Sequence, residues 1–336
     1  MTLEEIKKQM FSIQYGGICF VESDNAFTRK ARMLQIIKRQ WSGAEAGFVM
    51  KDGKMVKYGN LALDGKEVNR NFLSDEIFQY AKKRVEGSKF KPYETIAEDR
   101  LFCNFLSSQP MAFNLFWPLI QLVKHEAAQA VLAEMLKTLL SGDSVEQMER
   151  VTEVGIEYIP EYWEKCLHDK TALDAYFKYQ RYDGKQGIIA VETKYTDRLG
   201  TNEARDVNPA IMVANELKDV FTAQGLADIN SRKIKITQVF RNFLLTEKVR
   251  LMEESLDDSL SIIIAPEENI SNKADEKKLH DALAEEYKYK FQTVSLENFV
   301  LSLKEFFPNE PLFEEFYKRY LEWGLVDKML DGNKYR

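Results

Sequence analysis

The segment from Thr171 to Asp197 constrains the fold more than any other part of this 336-residue chain. Leu173, Ala175, Phe177 and Tyr179 alternate with Asp174, Tyr176, Lys178 and Gln180, the period-2 pattern of a half-buried strand. Asp183-Gly184 then supplies a turn dipeptide, which between two such runs predicts a hairpin. The second run, Gly187 to Tyr195, begins apolar on both faces, as a strand in the middle of a sheet does. It ends with Glu192 and Lys194, two apart and therefore on the face that also carries Ile188 and Ala190.

Loop length decides where those charges fall. A three-residue loop, 182–184, pairs Arg181 with Lys185 and sets Asp174 directly opposite Glu192, with opposed side chains about 5 Å apart. A two-residue loop turns Asp174 to the other face. The odd loop thus brings two carboxylates and a lysine to one patch. Carboxylates that close repel, and a divalent cation relieves the repulsion; hard oxygen donors suit Mg2+ or Mn2+. With a lysine beside them to hold or polarise a water, the patch has the equipment for metal-assisted phosphodiester hydrolysis.

An aspartate, a hairpin and then Glu-x-Lys at the end of an apolar strand resembles the PD-(D/E)XK nuclease superfamily, here as Asp174 and Glu192-Thr193-Lys194. SSQPMAFNLFWPL (107–119) and VETKYTD (191–197) together resemble a group of uncharacterised bacterial members of it, over about residues 95–265. The resemblance implies an α/β (α+β) fold of the restriction-endonuclease type: an αβββαβ core with a mixed central sheet flanked by helices. It implies a single nuclease-like domain over 1–336, with an N-terminal extension (1–93), a core (94–270) and a C-terminal helical extension (271–336). It implies a metal-dependent nuclease in which Asp174, Glu192 and the backbone carbonyl of Thr193 hold Mg2+ or Mn2+ and Lys194 orients water. Glu157 resembles an acidic residue of the preceding strand, and Gln238, with Arg241, is expected to face the scissile phosphate. Gln109 is expected near the site, on a helix that supports the sheet. The expected partner is nucleic acid, DNA before RNA. The other reading keeps the fold as a nucleic-acid- or protein-binding module, with the charges as a structural ion pair.

Composition narrows the rest. Hydrophobic residues make up 45% and charged residues 30%, with a net charge of −6, ordinary for a globular chain and unlike a strongly basic nucleic-acid-coating protein. Cys19, Cys103 and Cys166 are widely separated, and only three histidines occur, which excludes a Cys-x-x-Cys site and argues against histidine-based zinc chemistry. The charged start MTLEEIKKQM is unlike a signal peptide, and no apolar run approaches the ~20 residues of a membrane span. A cytoplasmic protein with no membrane partner is expected.

Strands are predicted over 16–23, 151–160, 172–180, 187–195 and 259–265, and a hairpin around Asp52-Gly53. The first three core strands should form an antiparallel meander and the fourth should pair in parallel after a long crossover. Helices are predicted over 25–41, 74–87, 94–107, 111–123, 125–140, 208–223, 235–254 and 276–288. The basic side chains of 25–41 (Arg29, Lys30, Arg32, Lys38 and Arg39) read either as a phosphate-contacting face or as a solvated one.

Overall fold

The computed structural model describes residues 3–90, 96–197, 203–271 and 273–331. It divides into two compact units: Met1–Lys91 with Thr95–Leu115 and Asn309–Arg336, and Pro92–Glu94 with Phe116–Pro308.

In the first unit, helix α1 (Leu3–Gln14) is followed by α2 (Ala26–Trp41), whose N-terminus is capped by Asn25 accepting from the Thr28 N–H at 2.7 Å. Strands β1 (Ala46–Lys51) and β2 (Lys54–Ala62) form a hairpin. Its two turn residues, Asp52 and Gly53, have φ of 49° and 73°, the mirror-image turn that matches strand twist. Helix α3 (Asp75–Ser88) follows, capped by Ser74. Residues 16–23 form no strand: Ile18 makes a single bridge to Tyr58, and Gly16 has a φ of 75°, off the extended region. The predicted helix over 94–107 begins outside the described residues, and from 96 on the chain forms a five-residue π turn, Asp99–Cys103. The basic face of α2 is largely spent inside this unit. Arg39 is buried and donates to the carbonyls of Tyr15, Ala44 and Gly59; Arg32 pairs with Asp24, and Lys38 with Glu322.

Helix α4 (Ser108–Leu122) gives its first half to this unit and its second half to the other. Asn114 is fully buried and satisfied: it accepts from the Leu73 N–H and donates to the Asn71 carbonyl and the Tyr320 hydroxyl. Gln109 belongs to the first unit, as does Asp99, which pairs with Lys66.

The second unit holds helices α5 (Glu126–Leu139) and α6 (Asp143–Glu146), then strands β3 (Met148–Tyr158), β4 (Leu173–Arg181) and β5 (Gln186–Thr193). Helices α7 (Asn208–Glu216), α8 (Ala223–Asn230) and α9 (Gln238–Met252) lead to β6 (Asp258–Ala265). Helix α10 (Lys273–Ala282), strand β7 (Phe291–Ser295) and α11 (Leu296–Phe306) complete it; α12 (Pro311–Tyr320) and α13 (Trp323–Asp331) return to the first unit. The predicted helix over 208–223 stops at Glu216, and 276–288 is helical only to Ala282, with a 3-10 segment over Glu285–Lys290.

One five-stranded sheet runs in the order β3-β4-β5-β6-β7. The first two pairings are antiparallel and the last two parallel, the mixed sheet expected from the sequence, with β5 central. Tyrosines of β4 lock the register. Tyr176 lies opposite Gly155 and Tyr179 opposite Gly187, where an added Cβ would come within 2.2 Å of the ring. Helix α9 covers the face carrying Ile188, Ala190 and Ile263, while Phe116 of α4 packs on Phe177 and on Phe299 of α11 on the opposite face. Among the described residues no helix is long and apolar enough to cross a membrane.

Candidate active site

The loop between β4 and β5 has three residues, as the placement of Asp174 requires. Arg181 donates to the Lys185 carbonyl at 2.8 Å, Gly184 takes a φ of 83°, and Asp183 accepts from the Lys185 N–H. The last ladder pair is Ala175 with Val191, and one step further the register brings Asp174 across from Glu192. There the strands part. The Thr193 N–H goes to Asp174 Oδ2 at 2.7 Å instead of to a β4 carbonyl, and the Thr193 hydroxyl donates to the same oxygen at 2.9 Å. Opposed antiparallel residues exchange N–H and C=O on one side of the strand, so the Thr193 carbonyl also leaves towards β4. On the other side, Lys194 N–H donates to Ile264 of β6. One residue on, the Asn269 amide holds the Tyr195 carbonyl at 2.9 Å and fixes the chain as it leaves the sheet.

Glu192 is 3% exposed and Lys194 7%. A carboxylate this buried needs a full set of donors, and it has three. Lys194 Nζ lies 2.5 Å from Oε1, Gln238 Nε2 donates to Oε1 at 2.9 Å, and Asn242 Nδ2 donates to Oε2 at 2.5 Å. Gln238 and Asn242 stand four apart on α9, one turn above the other on the same face. Asn242 is 5% exposed, and its Oδ1 has no hydrogen-bond partner among the described residues. Leaving a buried amide oxygen unpaired costs about 1–3 kcal/mol.

Burial, and then the Asp174 charge, push Glu192 up to about 7. Burial also raises Asp174. Burial alone would lower Lys194, but Glu192 and Asp174 more than offset it, so the lysine is held as an ammonium. Asp197 acts electrostatically on both Asp174 and Lys194. Two carboxylates that ionise together only with difficulty form a place for added positive charge. Among the described residues no three His, Cys, Asp or Glu side chains converge to hold an ion. Magnesium needs fewer, because it takes one or two carboxylates and keeps several waters. Asp174, Glu192 and the Thr193 carbonyl are hard oxygen donors of that kind, and the residues fit such an ion.

The other residues marked in the sequence fall as follows. Glu157 sits between the pairs Ile156–Ala175 and Tyr158–Leu173, hence opposite Asp174, but its φ of 55° breaks the pleat there. Gln238 reaches Glu192. Arg241 does not share its direction: its Nε lies 3.7 Å from Asp169 Oδ2. The loop after Tyr195 is described only in part, since 198–202 lie outside the described residues. Asn242 is not among the residues marked in the sequence. The signal was present in its spacing from Gln238, on a helix whose Val239, Phe240, Phe243 and Leu244 are core residues.

The family model for the PD-(D/E)XK nuclease superfamily matches residues 22–322. No curated protein matches the chain, and no solved structure does.

Proposed function

Because this chain belongs to the PD-(D/E)XK nuclease superfamily, we propose that it hydrolyses phosphodiester bonds in DNA with Mg2+ or Mn2+ bound by Asp174, Glu192 and the Thr193 carbonyl. The observation that carries this reading is the register that sets Asp174 against Glu192 where β4 and β5 part, with Lys194 on Glu192. When bound, the ion lowers the pKa of its water and offsets the charge that builds on the phosphate. Lys194 is an ammonium with three N–H donors. One is used on Glu192, which leaves others to orient the attacking water and a phosphate oxygen. As the water oxygen bonds to phosphorus it gives up a proton to solvent, the bond to one sugar oxygen breaks, and that oxygen takes a proton from solvent. Gln238 donates to Glu192 Oε1 beside Lys194. Glu157 of β3, opposite Asp174, is the second acidic candidate beside the pair.

Calorimetric titration of Mg2+ and Mn2+ into the wild-type protein tests the reading. Binding at millimolar concentration or below is expected, and Glu192→Gln should abolish it, because a neutral amide is a weak ligand for a hard cation. A wild-type protein that binds neither ion would instead support a binding module built on the same fold.

A further inference from the structure

We propose that Asn242 is a positioning residue of this site: its side-chain amide fixes the Glu192 carboxylate in the orientation that lets it share an ion with Asp174. This inference rests on the metal reading above. Of the three groups on Glu192, Lys194 and Gln238 both lie on Oε1, and Asn242 alone is on Oε2, at 2.5 Å. Both oxygens lie off the last bond, so every donor resists rotation about it, and Asn242 is the group that holds the second oxygen in place.

The surroundings of Asn242 support the assignment. Its main-chain carbonyl accepts from the Thr246 hydroxyl at 2.7 Å, and that hydroxyl lies 3.3 Å from Ser261 of β6, so the turn of α9 that carries Asn242 is tied to the sheet. The amide makes its own tie, to the Glu192 carboxylate of β5. Nδ2 goes to Glu192 and the buried Oδ1 is unpartnered among the described residues. A residue that served packing alone would do better as leucine, which buries no unpaired oxygen. Polar groups kept at a cost to stability are expected at functional sites, and partners one shell out from a metal tune its affinity.

The test is Mn2+ titration calorimetry, with thermal melts, on wild type, Asn242→Leu and Thr246→Val. Asn242→Leu keeps the shape and removes the donor. It should weaken Mn2+ binding at least about tenfold, as removal of an outer-shell partner does, and keep a cooperative melt. Thr246→Val perturbs the same stripe one turn on without touching Glu192; it should lower the melting temperature and leave the Mn2+ affinity of the folded protein unchanged. If Asn242→Leu does not fold, Asn242→Ser, too short to reach Glu192, is expected to show the same loss. Asn242 variants that bind Mn2+ as wild type does would overturn the inference while leaving the metal reading intact. A wild-type protein that binds no Mn2+ would overturn both.

Discussion

In the proposed site, Glu192 and Asp174 are both held towards their neutral forms. The Glu192 pKa in the fold is about 7 against an ordinary 4.5, through burial first and Asp174 second. A carboxyl raised in this way adds stability below the unfolded value and loses it as pH rises through the folded one. In the metal-free protein this contribution therefore fades between pH 4.5 and about 7. A metal ion prefers the ionised form of both raised carboxyls, so apparent Mn2+ affinity should climb as pH rises towards about 7 and be accompanied by proton release. Titrations in buffers of different ionisation enthalpy read both effects, and an affinity flat across that range would contradict the assignment. Lys194 belongs to the same scale. Lys194→Met should retain metal binding, since lysine is no ligand, and lose cleavage, since nothing then orients the water. Side-by-side calorimetry and digestion on that variant check the separation, and a variant that lost binding as well would place Lys194 in the ligand set.

At the scale of elements, the hairpin of β4 and β5 was legible because period-2 alternation and loop parity are local properties of the chain. Asp174 opposite Glu192 followed from them. Helix α9 was harder to read. Gln238, Asn242 and Thr246 share one face, and from sequence a polar face on a helix reads as exposed; here it is pressed on β5 and β6. Strand β7 takes its place at the sheet edge through parallel pairing with β6, a contact remote in sequence. The same stripe of α9 continues to a second buried cluster. Glu247 is 1% exposed, and Lys290 bridges it to Asp258 at 2.9 and 3.0 Å, with Arg250 on the other Glu247 oxygen. Removing one partner of such a set leaves uncompensated buried charge, a loss of about 3–5 kcal/mol. Lys290→Met should therefore lower the urea midpoint by that equivalent with the slope unchanged; an unchanged midpoint would show the cluster to be hydrated.

Across the whole molecule, the resemblance read from motifs spanned about residues 95–265, whereas the family match runs over 22–322 and takes in most of the first unit. Asp174 and Glu192-Thr193-Lys194 sit in the second unit, while the segment SSQPMAFNLFWPL begins in the first. Its basic helix shows why charge alone misleads. Arg32, Lys38 and Arg39 of α2 are bound to groups of their own unit, and nothing in the sequence of α2 marks those distant partners. Replacing Lys30 and Lys38 by glutamine should accordingly leave DNA affinity, read by filter binding at fixed salt, within about twofold, where loss of two phosphate contacts would also flatten the salt dependence. The most direct test of the centre itself is a Mg2+-dependent digestion of plasmid DNA, single-stranded DNA and RNA by wild type, Asp174→Asn and Glu192→Gln. Cleavage of DNA by the wild type alone, abolished by chelation, is the predicted result; no cleavage of any substrate by wild type, or undiminished cleavage by Glu192→Gln, would contradict it.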